Sequence, residues 1–296
     1  MNNYYHFKVG KFSCVAISDG GLNYPTDIFF KGKSSEEVEA ILHDHNLSTT
    51  HIHTPYTLLY VDTGSHKVLI DTGMGQYGAV ADELFPEIDN STTRCGILLE
   101  NMQAAEVSPD DIDTVIITHA HPDHIGGNLK AEGQLNFPKA QYFIWQDEWD
   151  FWFSDERLAA LQVHTPMIQI ARVNLEPLEN CVTLLDSAGE IMPGISAVAT
   201  PGHTPGHIAV SIISDGQQLL NLSDAVIHPL HLEYPDALLA FDMLPEQTLA
   251  SKRMICDRAA AEKALVFAHH LPPFPNLGHI VKKDGGWRWQ PIETTE

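Results

Sequence analysis

A chain of 296 residues, 44% of them hydrophobic, is long enough for one large domain or two small ones, and its apolar runs are too short to span a membrane. Its formal charge of −22, from 39 acidic and 17 basic residues, excludes the basic surface that nucleic-acid binding needs. We therefore expect a small, neutral or weakly charged, apolar substrate, and neither a nucleic-acid nor a membrane partner. Four scattered cysteines without a CxxC pair, and a start without a basic then apolar segment, favour reduced thiols in a cytoplasmic protein.

The first part of the chain predicts strands followed by a helix. The runs YHFKVG and FSCVAISDG are short, partly alternating strands, and YTLLYVDTGSHKVLIDTG predicts a hairpin around a Gly-Ser turn. The histidine-rich stretch HDHNLSTTHIH that precedes the hairpin predicts a polar surface connection. Residues 94–106 have helical spacing, and TVIIT, at 114–118, predicts a fully buried strand.

The second part predicts more strands, with helices between them. AQYFIW predicts a strand and residues 146–162 a mostly helical segment, before the four strands CVTLLD, ISAVAT, HIAVSIIS and QQLLNLSD. A helix over 245–264 begins with proline, and LVFA is predicted to be the last buried strand. This order favours an α/β protein in which two facing sheets carry helices outside, an αββα sandwich formed by one domain of residues 1–296.

The stretch TVIITHAHPDHIGGN places four costly polar side chains directly after a buried strand. His119 and His121 are two positions apart and point the same way in extended backbone, whereas Asp123 and His124 fall in the first turn of a following helix. Imidazole and carboxylate ligands suit Zn, Mn, Fe or Co, and the absence of a nearby cysteine argues against a structural zinc site. A polar helix cap is the alternative, but HxHxDH is far more specific than a lone histidine. The pattern predicts an open metal site.

Further candidate ligands also follow predicted strands. TPGHTPGH offers His203, with His207 as a rival, LLNLSD ends in Asp224, and LVFAHH ends in His269 and His270. Each residue alone is equally consistent with an ordinary polar loop. Together they predict that the ends of several strands converge on one metal centre.

The order HxHxDH, His, Asp, His on this strand pattern resembles the metallo-β-lactamase-fold hydrolase superfamily. The likeness runs the whole chain and is strongest for the methyl parathion hydrolase-like branch, which is related to the acyl-homoserine lactonases. It is carried also by SDGG, VLIDTG, DFWFS, TPGHTPGH, FPNLGHI and WRWQP. The resemblance implies the four-layer αββα sandwich of that superfamily, and relatives suggest a homodimer.

The resemblance also implies two divalent metal ions, most often zinc, with manganese, iron or cobalt as alternatives. Family spacing favours His270 as the last ligand, and His269 stays a rival because HLPPFP has one more proline than the usual pattern. The implied ligands are His119, His121 and His203 for the first ion, Asp123, His124 and His270 for the second, and Asp224 between them.

Such a centre would hydrolyse lactones or carboxylic esters, acyl-homoserine lactones among them. Two ions roughly 3.5 to 4 Å apart would share a water and lower its pKa, making a bridging hydroxide at neutral pH. Asp224 would fix the metal separation, while Asp123 would orient the nucleophile and carry a proton to the leaving group. Asp71 and Thr118 are expected to orient the ligand imidazoles.

The substrate pocket is less defined than the metal site. Trp145, Trp149 and Trp152 lie at i, i+4 and i+7 of a helical pattern, which fits core packing or a pocket wall. The family resemblance implies that Trp152 lines the pocket, with Trp149 next. The long loop from Met74 to Thr93 lacks an obvious pocket aromatic, and Ile227 stands where many homoserine lactonases have a tyrosine.

Two alternatives to the lactonase hypothesis stay open. The first is an organophosphate triester hydrolase, because the same hydroxide would attack a phosphoryl centre. The second is a redox or sulfur-dioxygenase-type metalloprotein, because such proteins share much of the first motif.

Overall fold

The computed structural model describes residues 3–88 and 92–294. The first of its two seven-stranded sheets has its strands in chain order from one edge to the other. The pairs β1–β2, β2–β3 and β3–β4 are antiparallel, and the pairs from β4 to β7 are parallel. Its strands are β1 Tyr4–Val9, β2 Phe12–Pro25, β3 His51–Asp62, β4 Lys67–Ile70, β5 Thr114–Ile116, β6 Gln141–Trp145 and β7 Val182–Leu185.

The second sheet also follows chain order, from β8 at one edge to β14 at the other. Only its β11–β12 pair is parallel. Its strands are β8 Gly189–Met192, β9 Ile195–Ala199, β10 Ile208–Ser214, β11 Gln217–Asn221, β12 Leu265–Phe267, β13 Leu277–Lys283 and β14 Gly286–Pro291.

Most of the helices are short and connect strand ends. In the described ranges, none of them combines the length and apolar character that crossing a membrane requires. The helices are α1 Ser35–Asp44, α2 Ala81–Leu84, α3 Leu98–Ala104, α4 Pro122–Ile125, α5 Gln146–Trp152, α6 Asp155–Ala160, α7 Thr165–Leu175, α8 Leu230–Glu233 and α9 Pro245–Glu262.

Successive side chains of a strand point to opposite faces of its sheet, one toward the covering helices and the next toward the other sheet. In β3, Leu58 packs with the helices that cover the first sheet, whereas Leu59 packs between the two sheets. In β11, Leu219 belongs to the same inter-sheet core, and Leu220 packs against Ile255 of α9. Helices therefore cover the outer face of each sheet, which confirms the predicted αββα sandwich.

Several predicted elements differ from the observed ones. The helix predicted over 94–106 is limited to α3, and the segment predicted over 146–162 is divided into α5 and α6. The HDHNLSTTHIH stretch is not a connection throughout, because β3 begins at His51 and pairs along its length with the long strand β2. LVFA is not the last strand, because the β13–β14 hairpin follows it.

The sequence prediction also missed strand β8 and helix α7. Strand β8 is exposed over most of its length, so it lacks the apolar alternation of a half-buried strand. Helix α7 carried a readable signal, with a proline in its first turn and buried residues at helical spacing from Met167 through Ile170 and Ala171 to Leu175.

Candidate metal centre

The HxHxDH motif leaves the first sheet at the end of β5. The backbone runs in extended form to His121, and α4 begins at Pro122, so Asp123 and His124 lie in its first turn. The two following glycines bring this turn against the loop after β4. A Cβ at Gly127 would lie 2.0 Å from the carbonyl oxygen of Thr72, and one at Gly126 would lie 2.3 Å from that of Met74. Only glycine permits this approach.

The downstream candidates come from the second sheet. His203 lies in the turn between β9 and β10, Asp224 follows β11, and His269 and His270 follow β12. Since β10, β11 and β12 are adjacent strands, their connections reach one edge of the sandwich, where they meet the motif after β5.

The first cluster of ligand atoms joins both sheets. The Nδ1 atom of His121 lies 3.1 Å from Nε2 of His119 and 2.9 Å from Nε2 of His203. Oδ2 of Asp224 lies 3.2 Å from Nε2 of His203 and 3.8 Å from Nε2 of His119. All four side chains are buried.

The second cluster surrounds Asp123. Its Oδ2 atom lies 3.4 Å from Nε2 of His270 and 3.8 Å from Nε2 of His124. Asp224 reaches this cluster too, with 3.2 Å between its Oδ1 and Nε2 of His124 and 3.4 Å between its Oδ2 and Nε2 of His270. Asp224 therefore lies between the two clusters.

The donor set fits divalent metal ions. One imidazole proton serves only one of the two contacts at Nδ1 of His121, so lone pairs of neighbouring rings face each other. Nε2 of His124 and Oδ1 of Asp224 are buried and lie 3.2 Å apart, but among the described residues neither has a partner with hydrogen-bond geometry. Such groups cost free energy unless a ligand satisfies them, and two cations would satisfy both clusters.

The remaining ring nitrogens of four histidines have partners of their own. Nδ1 of His119 lies 3.2 Å from the Thr118 hydroxyl, and Nδ1 of His124 lies 2.9 Å from Oδ2 of Asp71. These are the two orienting residues that the sequence suggested. His203 and His270 use partners that the sequence did not indicate, Oδ1 of Asp242 at 3.0 Å and the carbonyl oxygen of Pro55 at 2.9 Å. Such contacts fix the ring orientations.

His207, the rival of His203, lies outside both clusters. Its Nε2 accepts a hydrogen bond from the backbone N–H of Asp224 at 3.1 Å, and its Nδ1 lies 2.9 Å from the Thr200 hydroxyl. Burial lowers the pKa of His207 to about 3, which keeps the ring neutral and able to accept. His207 thus positions Asp224.

His269, the rival of His270, lies beside the second cluster and offers a ligand atom to it. Its ring stacks on Tyr56, with 5.6 Å between ring centroids, and packs against His124. The Nε2 atom of His270, in contrast, lies within contact distance of both Asp123 and Asp224. This geometry favours His270.

Carboxylates and imidazoles in the centre shift one another's pKa. Burial disfavours the charged form of Asp224, but the His124 and His270 imidazoles hold the pKa of this carboxyl well below its ordinary value. Burial also lowers the pKa of His203, but hydrogen bonds with Asp224 and Asp242 raise it overall to about 9. In the metal-free centre, protons therefore occupy positions that cations would take.

A cavity opens over the two clusters. Asp123, whose side chain is 15% exposed, reaches it together with His121, His203, Asp224 and His270. Phe85 and Ile88, from the loop in which the sequence showed no obvious pocket aromatic, form part of its wall. Its remaining lining residues are mostly apolar and include Ile28, Phe29, Met74, Met167, Ile227, Leu239 and Phe241.

The tryptophans expected at the pocket lie elsewhere. Trp152 is fully buried, donates its indole N–H to Oε1 of Glu148 at 2.8 Å, and packs edge-on against the ring of His121. Trp149 packs on Phe153 at the edge of the core, and Trp145 ends β6 instead of lying in the helix. Neither Trp152 nor Trp149 is part of the cavity wall. Helical spacing identified a buried face of the helix, but it could not show whether that face packs in the core or lines the cavity.

Comparisons with known proteins agree on one family. A family model described as the metallo-beta-lactamase superfamily matches residues 53–226. The N-acyl homoserine lactonase AiiA of Bacillus thuringiensis subsp. kurstaki is 26% identical over 231 residues, which is 74% of this chain and 82% of the relative.

Solved structures give the same result over almost the whole chain. AidC, a dizinc quorum-quenching lactonase in complex with a product, is 27% identical, with a TM-score of 0.85 over 99% of both chains. AbOPH, a hydrolase in the beta lactamase superfamily, is 25% identical, with a TM-score of 0.86 over 100% of this chain and 99% of that one.

Proposed function

The chain belongs to the metallo-beta-lactamase superfamily, and on that premise we propose that it is a metal-dependent hydrolase of lactones, acyl-homoserine lactones among them. The observation that carries this proposal is the pair of buried His/Asp clusters that meet at Asp224 beneath an apolar cavity. The similarity to AiiA and AidC supports lactones as the substrate class.

We assign seven ligands to two divalent ions, which we propose to be zinc. His270 is preferred to His269 because its Nε2 faces both carboxylates while its Nδ1 is held by the carbonyl of Pro55. The proposed ligands are His119, His121 and His203 for one ion, Asp123, His124 and His270 for the other, and Asp224 for both.

When bound, two such ions polarise a carbonyl oxygen and make a water nucleophilic at neutral pH. Asp224, held by the N–H contact with His207, keeps the two ligand clusters at a fixed separation. Asp123 is the ligand carboxylate most exposed to the cavity, so its oxygens can orient the attacking water. We assign to Asp123 the proton transfer to the leaving oxygen: its ionised carboxylate would take the proton from the attacking water and then donate it to the leaving alkoxide.

The cavity wall supports a neutral substrate with an apolar chain. Among the described residues, no lysine or arginine lines the cavity, and its non-ligand surface is dominated by aliphatic and aromatic side chains. Burial of an acyl chain against such a wall is favourable, whereas an anionic group would find no cationic side chain there.

A substrate panel tests the proposal. We expect metal-loaded protein to cleave N-acyl homoserine lactones with a higher kcat/KM than carboxylic esters or phosphotriesters. His203→Asn and Asp123→Asn should remove most of this activity, and Lys11→Gln, at an exposed ion pair, should retain it. Faster turnover of paraoxon-type substrates would favour the organophosphate hydrolase. Oxygen uptake on persulfides with bound iron would favour the redox alternative.

We retain two further predictions about this hydrolase, a homodimeric state and a cytoplasmic location. The first follows from the family resemblance, and light scattering during gel filtration tests it. The second follows from cysteine usage, and cell fractionation tests it. The four cysteines are unpaired in the structure, as the sequence suggested.

A further inference from the structure

The cavity wall contains two hydroxyl groups that the metal centre does not use. In the described part of the chain, Tyr24 and Thr54 are the only polar residues that line the cavity besides the proposed ligands. They lie on the neighbouring strands β2 and β3, where Leu22 pairs with Thr54 and Tyr24 pairs with Ile52. Since side chains alternate along a strand, Tyr24 and Thr54 share one face of the sheet.

The hydroxyl of Tyr24 is oriented by a second tyrosine. It forms a hydrogen bond with the hydroxyl of Tyr56, which is fully buried and does not line the cavity. Among the described residues Tyr56 has no other hydrogen-bonding partner for this hydroxyl, so its proton is best donated to the oxygen of Tyr24. The proton of Tyr24 is then free to point into the cavity, as a donor.

The Thr54 hydroxyl is a matching acceptor. Its oxygen is buried and has no hydrogen-bond partner in residues 3–88 and 92–294. A buried, unpaired hydroxyl at a cavity surface costs free energy unless a ligand pairs with it. Thr54 lines the same cavity as the proposed ligands Asp123 and His270.

A donor and an acceptor in the same apolar cavity wall match a secondary amide, which has one C=O and one N–H. We propose that Tyr24 donates to the amide carbonyl of the substrate and that Thr54 accepts from its N–H. This inference rests on the proposed function and narrows the substrate class to lactones that carry an acylamino group. Tyr24 and Thr54 are thus specificity residues for the group beside the scissile ester.

A matched pair of substrates isolates the amide. N-hexanoyl-homoserine lactone is compared with α-heptyl-γ-butyrolactone, in which two methylene groups replace the amide and the chain length is unchanged. We expect Tyr24→Phe to lower kcat/KM for the acylamino lactone about tenfold, which is typical of one lost hydrogen bond, and to change that for the alkyl lactone less than about twofold. Thr54→Val should act in the same direction, and both variants should bind two zinc ions as the wild type does.

Tyr142→Phe is the matched control, because it removes a buried tyrosine hydroxyl that does not line the cavity. Tyr142→Phe should leave the ratio of kcat/KM for the two lactones unchanged. An equal loss on both lactones in Tyr24→Phe, or no loss on either, would overturn the inference while leaving the lactonase function intact. Absence of turnover of both lactones by zinc-loaded wild type would overturn the inference and the proposed function together.

Discussion

Glu148 is a buried carboxylate whose acceptor positions are all used. Its Oε1 accepts from the backbone N–H of Ala120 at 2.9 Å and from the Trp152 indole. Its Oε2 accepts from the hydroxyl of Thr204 at 2.6 Å and from the backbone N–H of Gly206 at 2.9 Å. This one side chain therefore ties the loop of His119 and His121 to the turn that carries His203.

We predict that Glu148→Gln destabilises the protein by about 2–3 kcal/mol, because an amide NH2 would face N–H donors that need an acceptor. Zinc affinity should fall as well, since the two loops lose their link. Chemical denaturation of metal-free protein measures the first effect. Asp150→Asn, on the same helix at an exposed position, is the control and should change stability by less than about 0.5 kcal/mol. Equal stability of Glu148→Gln and wild type would contradict this role.

Protons compete with metal at two of the proposed ligands. In the metal-free centre burial lowers the pKa of His270, but the Asp224 charge and a hydrogen bond with Asp123 raise it overall to about 9. The pKa of His203 is raised to the same value by its hydrogen bonds with Asp224 and Asp242. Because metal binds only neutral imidazole, each such proton must leave on binding. We predict that zinc affinity rises between pH 7 and pH 9 by up to about tenfold per pH unit for each displaced proton. Chelator competition measures it, and a flat profile would count against proton displacement.

The sequence predicts some residues of the site and not others, and the difference has a physical reason. His119, His121, Asp123 and His124 are close in the chain, so their spacing alone indicates a shared site. Asp242 is 39 positions from its partner His203, and nothing in LAFDML distinguishes it from an ordinary loop acid. Tyr24 depends on the pairing of β2 with β3, which no local pattern reveals.

Helix α9 ends in an unfavourable backbone conformation. Lys263, the residue after the helix, has a φ of +50° in the left-handed region, where glycine is preferred. We predict that Lys263→Gly stabilises the protein by about 0.5–1 kcal/mol, because it removes the steric cost of the Cβ. Ala260→Gly, three positions earlier, is the control with glycine inside the helix, and it should lower the free energy of unfolding by about 1 kcal/mol. Urea denaturation compares the two, and destabilisation by Lys263→Gly would contradict the prediction.

At the level of elements, apolar strands at the core were the most predictable. TVIIT and most of HIAVSIIS are buried, so their largely apolar runs identified them. Strand β13 and its partner β14, which lies at the edge of the sheet, were missed because they mix apolar with charged residues. Their place in the sheet is set by tertiary pairing with β12, whose following loop carries His269 and His270.

The whole molecule is held by an inter-sheet core that residues from both sheets share, Leu59 and Leu219 among them. We keep the prediction that residues 1–296 form a single domain, and on that basis expect one cooperative unfolding transition. Removal of the metals should lower the melting temperature, since ligand at a thousandfold excess over Kd stabilises the native state by about 4 kcal/mol. Calorimetry with and without chelator measures both. Two separated transitions would contradict the single domain, and an unchanged melting temperature would contradict metal binding in the core.

We propose that the two His/Asp clusters, which Asp224 connects, bind two ions and together form a lactone-hydrolysing centre. Titration of metal-free protein with zinc, with bound metal and N-acyl homoserine lactone cleavage followed in the same samples, tests it most directly. We predict that cleavage rises until two zinc ions are bound per chain and then stays constant. Saturation at one ion per chain, or two bound ions without lactone cleavage, would contradict the claim.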